Sequence, residues 1–490
     1  MSKRHVAVGA SLLGLVAAGA LSFSPGAAQA DIAPQAQDVV GVGSDVIQNS
    51  VDFLADGSPF GDPGYNSIGN LHRVFDFDAS PDANGRAAFQ DPSLAAGGLT
   101  GTGTTNDGST SVTTGTGVPL RASVVLAAGQ APQERPNGGG AGVTALTIDT
   151  GDNIDFVRSP NPPTAAQQTT ANSNLKSYLD TVQFADDAQY IATSAASNAP
   201  ILSAEALAAI YCKNFTPASG DAYEKAGLAA GTTAPVAKWN QIPGNSGGSS
   251  DAIIPLRPQD GAGVLKNFQA AIAPYTSGNA CTWSGNVVQV QQNDPTSITS
   301  AANPKDAIVV FPLSRFKLLA SDYYPDPSTN GWVGNTSGSA TDAASASAKR
   351  STSGGFPANT GAGKSTVPLT AAGISLQIPS GKPGAGLAGT TAAPATTATL
   401  GDGNHSYYVD LPFYLLLRHS SVTSTTPWQP GSTLNWAQTL IYNVDYVPGG
   451  SVPAPYFASA AGQALIKNLG LTPKYQVWKG DSTGLGSAQY

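Results

Sequence analysis

The sequence predicts an α/β fold built on mostly parallel sheets. Two observations carry this expectation: short apolar runs alternate with segments of helical period, and glycine-rich turns follow several of those runs. In open α/β folds ligands bind at the carboxyl ends of the strands, so turns placed there mark a binding cleft.

The clearest unit lies mid-chain. Asp251-Ala-Ile-Ile-Pro-Leu256 reads as a strand, Arg257-Pro-Gln-Asp-Gly-Ala-Gly263 as a tight turn, and Val264 to Ile272 as a helix. A turn of this kind leaves backbone N–H groups and the positive end of a helix dipole free for an anion. Arg257 stands beside it as a bidentate partner for an oxyanion.

From the start of the chain, Lys3-Arg-His5, the apolar run Val6 to Leu21 and Ala28-Gln-Ala30 fit a secretion signal, with Asp31 expected to begin the mature protein. The apolar run is short and followed by Ser24-Pro-Gly26, which argues against a transmembrane anchor, and no cysteine stands by the cleavage site to take a lipid. A secreted, extracellular protein is expected. Val39-Val-Gly-Val-Gly43 is a buried strand ending in glycines, Ser44 or Asp45 suits an N-cap, and residues 46–54 carry a helical apolar face. Leu71 to Phe77 is a further strand. Arg135-Pro-Asn-Gly-Gly-Gly140 leads into a helix from Ala141, and Asn153 to Val157 is a strand closing on Arg158-Ser159-Pro160.

Residues 180–193 are extended and apolar, a crossover into another lobe. Ser203 caps a helix running to Tyr211. Ala307 to Phe311 is a strand, residues 327–404 are a Ser/Thr/Ala/Gly-rich insertion or decorated loop interrupted by Thr366-Val-Pro-Leu369 and Ile374 to Ile378, and Tyr407 to Leu417 and Thr439 to Tyr446 are strand-like. A last helix spans Tyr456 to Gly470.

At 490 residues the chain is long enough for two or three domains. Hydrophobic residues make up 41%, charged ones 11%, and the formal charge is −8, which argues against a nucleic-acid partner. Cys212 and Cys281 are the only cysteines. In an oxidising compartment they are expected to pair, and two thiols without a nearby histidine do not complete a zinc site.

Other motifs are weighed against plainer readings. Gly244-Asn-Ser-Gly-Gly248 matches the nucleophile pattern G-x-S-x-G, but no strand precedes Ser246 and His72, His405 and His419 have no recognisable triad setting; a loop is expected. Gly361-Ala-Gly-Lys-Ser365 ends like a phosphate loop, yet Ala358 stands where its first glycine belongs. Asp76-Phe-Asp78 and Asp149-Thr-Gly-Asp152 lack calcium-loop spacing and are read as turn carboxylates. Tyr407-Tyr408 and Phe413-Tyr414 are read as core or lobe-face aromatics rather than a sugar platform.

Taken in order, these segments resemble the PstS-like phosphate-binding family of type 2 periplasmic binding proteins, in its secreted actinobacterial form. The resemblance rests on Gly41-Val-Gly-Ser-Asp45, on Arg135-Pro-Asn-Gly-Gly-Gly-Ala-Gly142, on Asp155-Phe-Val-Arg-Ser159 with Pro162-Pro-Thr164, and on Leu207 to Tyr211, Trp239-Asn240 and Arg257 to Gly263. It covers roughly residues 36–320. It implies two α/β lobes with mixed or parallel sheets: 31–185 in the first, 186–310 in the second, and 311–490 returning to the first. It also implies an oxyanion buried between them, lined by Ser44, Asp45, Asn137, Gly138, Gly139, Arg158, Ser159, Arg257, Asp260, Gly261, Ala262 and Gly263. The chain departs from the family at Ala262 and Val264, where hydroxyls are usual, at Pro160, where an acceptor Asp is usual, and at Asn137-Gly-Gly139, which lacks a Ser. Each lost hydroxyl removes a bond to a charged group, about 1.5–3 kcal/mol.

The resulting expectation is a non-enzymatic, exported solute-binding protein that captures phosphate or a similar oxyanion for an ABC permease and uses no cofactor or metal. The runner-up is a secreted interaction or structural module reusing the same fold.

Overall fold

Every element begins from the two periods just described. A computed structural model of the chain describes chiefly residues 37–56, 64–68, 73–77, 136–320, 373–385, 390–393, 406–427 and 432–489. The expected secretion signal, His72, His405, Asp78, the phosphate-loop mimic and most of the 327–404 insertion lie outside the described residues.

The first strands are β1 (Val39–Gly43), β2 (Val74–Asp76) and β3 (Phe156–Ser159). Then come the long β4 (Leu179–Ser194), β5 (Ile254–Pro258), β6 (Val288–Val290) and β7 (Ala307–Pro312). The set ends with β8 (Ile374–Pro379), β9 (Thr390–Ala393), β10 (Val409–Arg418), β11 (Thr472–Asp481) and β12 (Gly484–Ala488). Their order explains the architecture. One half of the sheet runs β2-β1-β3 in parallel, then β10 antiparallel to β3, then β4. The other repeats the pattern: β6-β5-β7 in parallel, then β4 antiparallel to β7, then β8.

β4 belongs to both halves. Its first residues pair with β10 and β11, and its last, from Gln189 to Ser194, with β7 and β8. The registers of β10 and β11 both slip where they pass Gln183 to Ala185 of β4. A bulge bends a strand and raises its twist, so the sheet turns there from one half into the other. The fold is a two-lobed α/β one.

The helices used below are α1 (Gln48–Asp56), α2 (Gly139–Ile148), α3 (Ala165–Leu175), α4 (Ala204–Tyr211), α5 (Gly263–Ile272), α6 (Leu313–Ala320), α7 (Trp436–Leu440) and α8 (Ala460–Asn468). Strands buried on both faces read as unbroken apolar runs, and β7 shows why. Ile308 and Val310 enter the largest apolar cluster with Tyr211 and Phe268, while Val309 and Phe311 enter a second with Leu256 and Leu376. β10 does the same in the first half: Phe413, Leu415 and Leu417 face the large cluster, Tyr414 and Leu416 a third with Val40 and Val157. Tyr407 and Phe413 are thus core residues, as expected. Tyr211 donates its buried hydroxyl to Leu256 O and Ile308 O at 2.8 and 3.1 Å, tying α4 to β5 and β7. Cys212 and Cys281 form a disulfide across a separation of 69 residues in the same cluster.

Two local expectations are corrected. Residues 439–446 are not a strand: the Asn435–Gln438 capping box starts α7 instead, and turns follow. Nor does Ser44 or Asp45 begin α1. Ser44 N still donates to Arg158 O at 2.9 Å, continuing the sheet, so the helix starts at Gln48.

Candidate functional site

The carboxyl ends of β1 and β3 bring Ser44, Asp45 and Arg158 together, all buried. Arg158 is spent within its own lobe. Its Nε donates to Ser44 O at 3.1 Å, one terminal nitrogen to Phe77 O at 2.8 Å, and the other pairs with Asp76. Burial pulls its guanidinium down to about 10, while Asp52 and Asp45 pull it back up, so it stays charged at neutral pH. Asp76 lies 82 residues upstream of its partner, and nothing in the local sequence announces the pair. The Ser44 hydroxyl is buried without a hydrogen bond.

Two helices from different lobes point their N-termini at the same place. Asn137 bridges to Gly43, and Gly138, at φ 99°, turns the chain into α2 through a conformation that glycine alone takes readily. In the other lobe Gln259 to Ala262 turn β5 into α5. The two turns touch. Gln259 Nε2 donates to Asn137 Oδ1 at 3.3 Å, and a Cβ on Gly138 would stand 2.9 Å from Gly261 O.

Neither helix has a side-chain cap. Gly138 and Ala262 at the N-cap positions supply no acceptor, whereas Thr164, Ser203, Asn435 and Ser459 cap α3, α4, α7 and α8. The first N–H groups of a helix need a partner from outside it.

Between these two N-termini sits the buried ring of Pro160, the residue after β3. A Cβ on Gly139 would stand 2.7 Å from Pro160 Cδ, and one on Gly263 would overlap the ring outright. Each helix thus begins with glycine because a proline from the first lobe leaves no room for more.

Beside the ring opens a cleft of about 310 Å³. The first lobe lines it with Gly140, Ser159, Asn161, Thr164 and Gln167, the second with Asp260 to Gly263, Lys266 and Gln269. Of the residues expected to line a ligand, Ser159, Asp260, Gly261, Ala262 and Gly263 do line this cleft. Gly138 and Gly139 stand immediately behind it. Ser44, Asp45, Asn137 and Arg158 lie deeper, at the strand ends, and are not part of its lining.

Arg257 is placed elsewhere. It pairs with Asp260 at 2.6 Å, donates to Pro258 O, and lies over the Trp283 ring at 5.4 Å. The cation in the lining is Lys266, exposed at the second-lobe wall. Asn161, Thr164, Gln167, Lys266 and Gln269 are additions to the expected set. The Thr164–Gln167 capping box is a readable sequence signal for α3, the helix that walls the cleft, but its facing α5 is not.

No family model matches the sequence, and no curated protein matches it. Solved structures do show likeness. A protein assigned as a phosphate ABC transporter substrate-binding protein from Clostridium perfringens, with phosphate bound, overlaps 89% of this chain and 99% of its own, at 10% identity and a TM-score of 0.39. A high-affinity periplasmic phosphate-binding protein, PfluDING, bound with phosphate, covers 89% and 90% at 13% identity and a TM-score of 0.37. PstS from Borrelia burgdorferi covers 89% and 98% at 11% identity and a TM-score of 0.32. The fold assignment rests on the strand order above, not on these overlaps.

The competing motifs resolve into structure. Ser246 is exposed in consecutive tight turns, with Asn245 N donating to Ile242 O and Gly248 N to Asn245 O, and no strand leads into it. His419 instead pairs with buried Asp180 at 2.8 Å. Asp149 and Asp152 both clasp Arg418, at 2.8 and 2.7 Å, so a guanidinium occupies the place a cation would take. Among the described residues no group of three or more His, Cys, Asp or Glu could hold a metal ion, and no helix is long and apolar enough to cross a membrane.

Proposed function

We propose that the chain is an exported solute-binding protein that closes two lobes on a small oxyanion-bearing solute, with phosphate the leading oxyanion, and hands it to an ABC-type permease. One observation carries the reading: two uncapped, glycine-started helix N-termini, one from each lobe, meet across the Pro160 ring at the edge of a single cleft that also holds Lys266. Helix N-termini and an ammonium together favour negative charge. No group of the cleft is set up as a nucleophile with its base, and binding needs none.

Phosphate enters through the sequence resemblance, and export through the signal-like residues 1–30. The ligand contacts come from the cleft-lining residues, with Asn137, Gly138 and Gly139 shaping its wall and Ser44, Asp45, Arg158 and Arg257 bracing the turns behind it. Because Ala262 and Val264 offer no hydroxyl, backbone N–H groups, Asn161 and Lys266 supply the donors, and the site is weaker than one with both hydroxyls.

Calorimetry at low salt with phosphate and sulfate tests the reading. Saturable heat that falls at least tenfold in affinity on Lys266→Ala is expected. Neither heat nor thermal shift with millimolar phosphate overturns free phosphate as the ligand.

A further inference from the structure

We propose that Pro160 sets the ligand class of this cleft, denying its deepest seat to a bare tetrahedral oxyanion and selecting an anion that carries a hydroxylated organic remainder, such as a phosphorylated polyol. The inference rests on the oxyanion reading above and deepens it.

The deepest seat is the point where both helix N-termini converge. A small anion gains most there, because it receives N–H donors and dipole from both lobes at once. That point is filled by the Pro160 ring, which meets Gly139 of α2 and Gly263 of α5 and has no N–H to donate. The ring is buried and continues a strand held on both sides, by β1 and β10, so it has no alternative position. An anion must therefore sit outward of the ring, in the cleft.

The cleft is too large for a bare anion. Its volume of about 310 Å³ is at the lower end of the range of sites for organic ligands, roughly 300–1,000 Å³, and equals the share of liquid taken by about ten waters. A five-atom oxyanion leaves most of that space to solvent, which dilutes the attraction of Lys266.

The walls match a polar remainder. Asn161 Nδ2 faces the start of α5, 3.0 Å from where a Gly263 Cβ would stand. The side chains of Asn161, Lys266 and Gln269 make no hydrogen bond within the described protein, and Gln167 adds its amide nitrogen on the facing wall, its Oε1 and the Thr164 hydroxyl being taken by their capping box. No aromatic side chain is among the lining residues, so nothing there stacks on a base or ring π-face. Hydroxyls satisfy such a set of amides and an ammonium directly.

The test is calorimetry on the full chain with inorganic phosphate, glucose 6-phosphate and glucose, in the wild type and in Pro160→Ala and Pro160→Ser. Glucose 6-phosphate is expected to bind the wild type at least tenfold more tightly than phosphate, and glucose not measurably. Removing the ring is expected to tighten phosphate at least tenfold while changing glucose 6-phosphate less than threefold, with thermal midpoints recorded to show that each variant is folded. Phosphate binding the wild type as tightly as the ester, or unmoved by both substitutions, overturns the role of Pro160 and leaves the oxyanion reading standing. Silence toward both anions in every variant overturns the oxyanion reading, and this inference with it. The wild-type comparison decides the ligand class even if neither variant folds.

Discussion

Replacing Gly263 by alanine tests whether the two lobes meet through Pro160. In a helix interior such a change is ordinarily favourable, because alanine loses less backbone entropy than glycine, by about 0.5–1 kcal/mol, and at the first position the gain is at most that. Here the new methyl overlaps the Pro160 ring, lies 2.9 Å from its Cδ, and stands 3.0 Å from Asn161 Nδ2. The ring cannot rotate away, and overpacking of this kind costs about 1–3 kcal/mol. The closed arrangement should therefore lose about 1–2 kcal/mol net. Since 1.4 kcal/mol is tenfold, the closed population, and anion affinity with it, should fall roughly tenfold. Gly140→Ala, at the second residue of α2 on the facing wall, is the control: its nearest neighbour is Gly261 O at an ordinary 3.5 Å, so the helical gain should survive and the protein should melt slightly higher. Thermal midpoints and calorimetric affinity read both. If Gly263→Ala melts no lower than Gly140→Ala and binds anion as well, Pro160 does not stand against α5 and the account of the cleft fails.

Two further outcomes concern stability. Asp187, on β4 between the lobes, accepts bonds from Ser314 N at 3.0 and 3.1 Å and from its hydroxyl, yet burial pushes its carboxyl up to about 6. The folded state then holds the proton more tightly than the unfolded chain, so stability should fall as pH rises from about 4 through 6, by up to about 3 kcal/mol; Asp187→Asn should flatten that slope in thermal melts at pH 4.5 and 7, and an unchanged slope would place the titrating group elsewhere. Replacing Cys212 and Cys281 together by serine should cost about 4 kcal/mol on the loop-entropy account for a 69-residue separation, read as a lower denaturant midpoint; an unshifted midpoint would mean the unfolded chain is already compact there.

What the sequence makes legible follows the range of the interaction. α4 and α5 are readable because Ser203 caps the first and Val264, Leu265, Phe268 and Ile272 bury one face of the second, all within a few turns. β4 is readable as one long extended run, but not as a member of two half-sheets. That depends on β10 pairing with it from more than two hundred residues away, and β11 from nearly three hundred. The site divides the same way. Ser159 and Asp260 to Gly263 are marked by turn chemistry where they stand. Asn161, Lys266 and Gln269 look like ordinary surface polar residues until α3 and α5 face each other. Arg158 and Arg257 look alike in sequence, each at a strand end. Only the fold shows that Asp76 consumes one and Asp260 the other.

The repeated strand pattern makes the cleft look symmetric, and its chemistry is not. Within the repeat α5 follows β5 as α1 follows β1, yet α1 starts late and buried while α5 opens on the cleft. The first lobe presents α2 instead, the helix entering β3, and α2 has no charged residue. Charge therefore stands on the second wall, as Lys266 and the Arg257–Asp260 pair, and the first wall offers backbone, Asn161 and the rigid Pro160 ring. Long-range attraction draws an anion to the wall that carries the ammonium. Short-range fit is decided by the wall that carries the proline. Attraction and selection are thus separated between the lobes, and changes on one wall should alter affinity for every anion while changes on the other alter which anion is preferred.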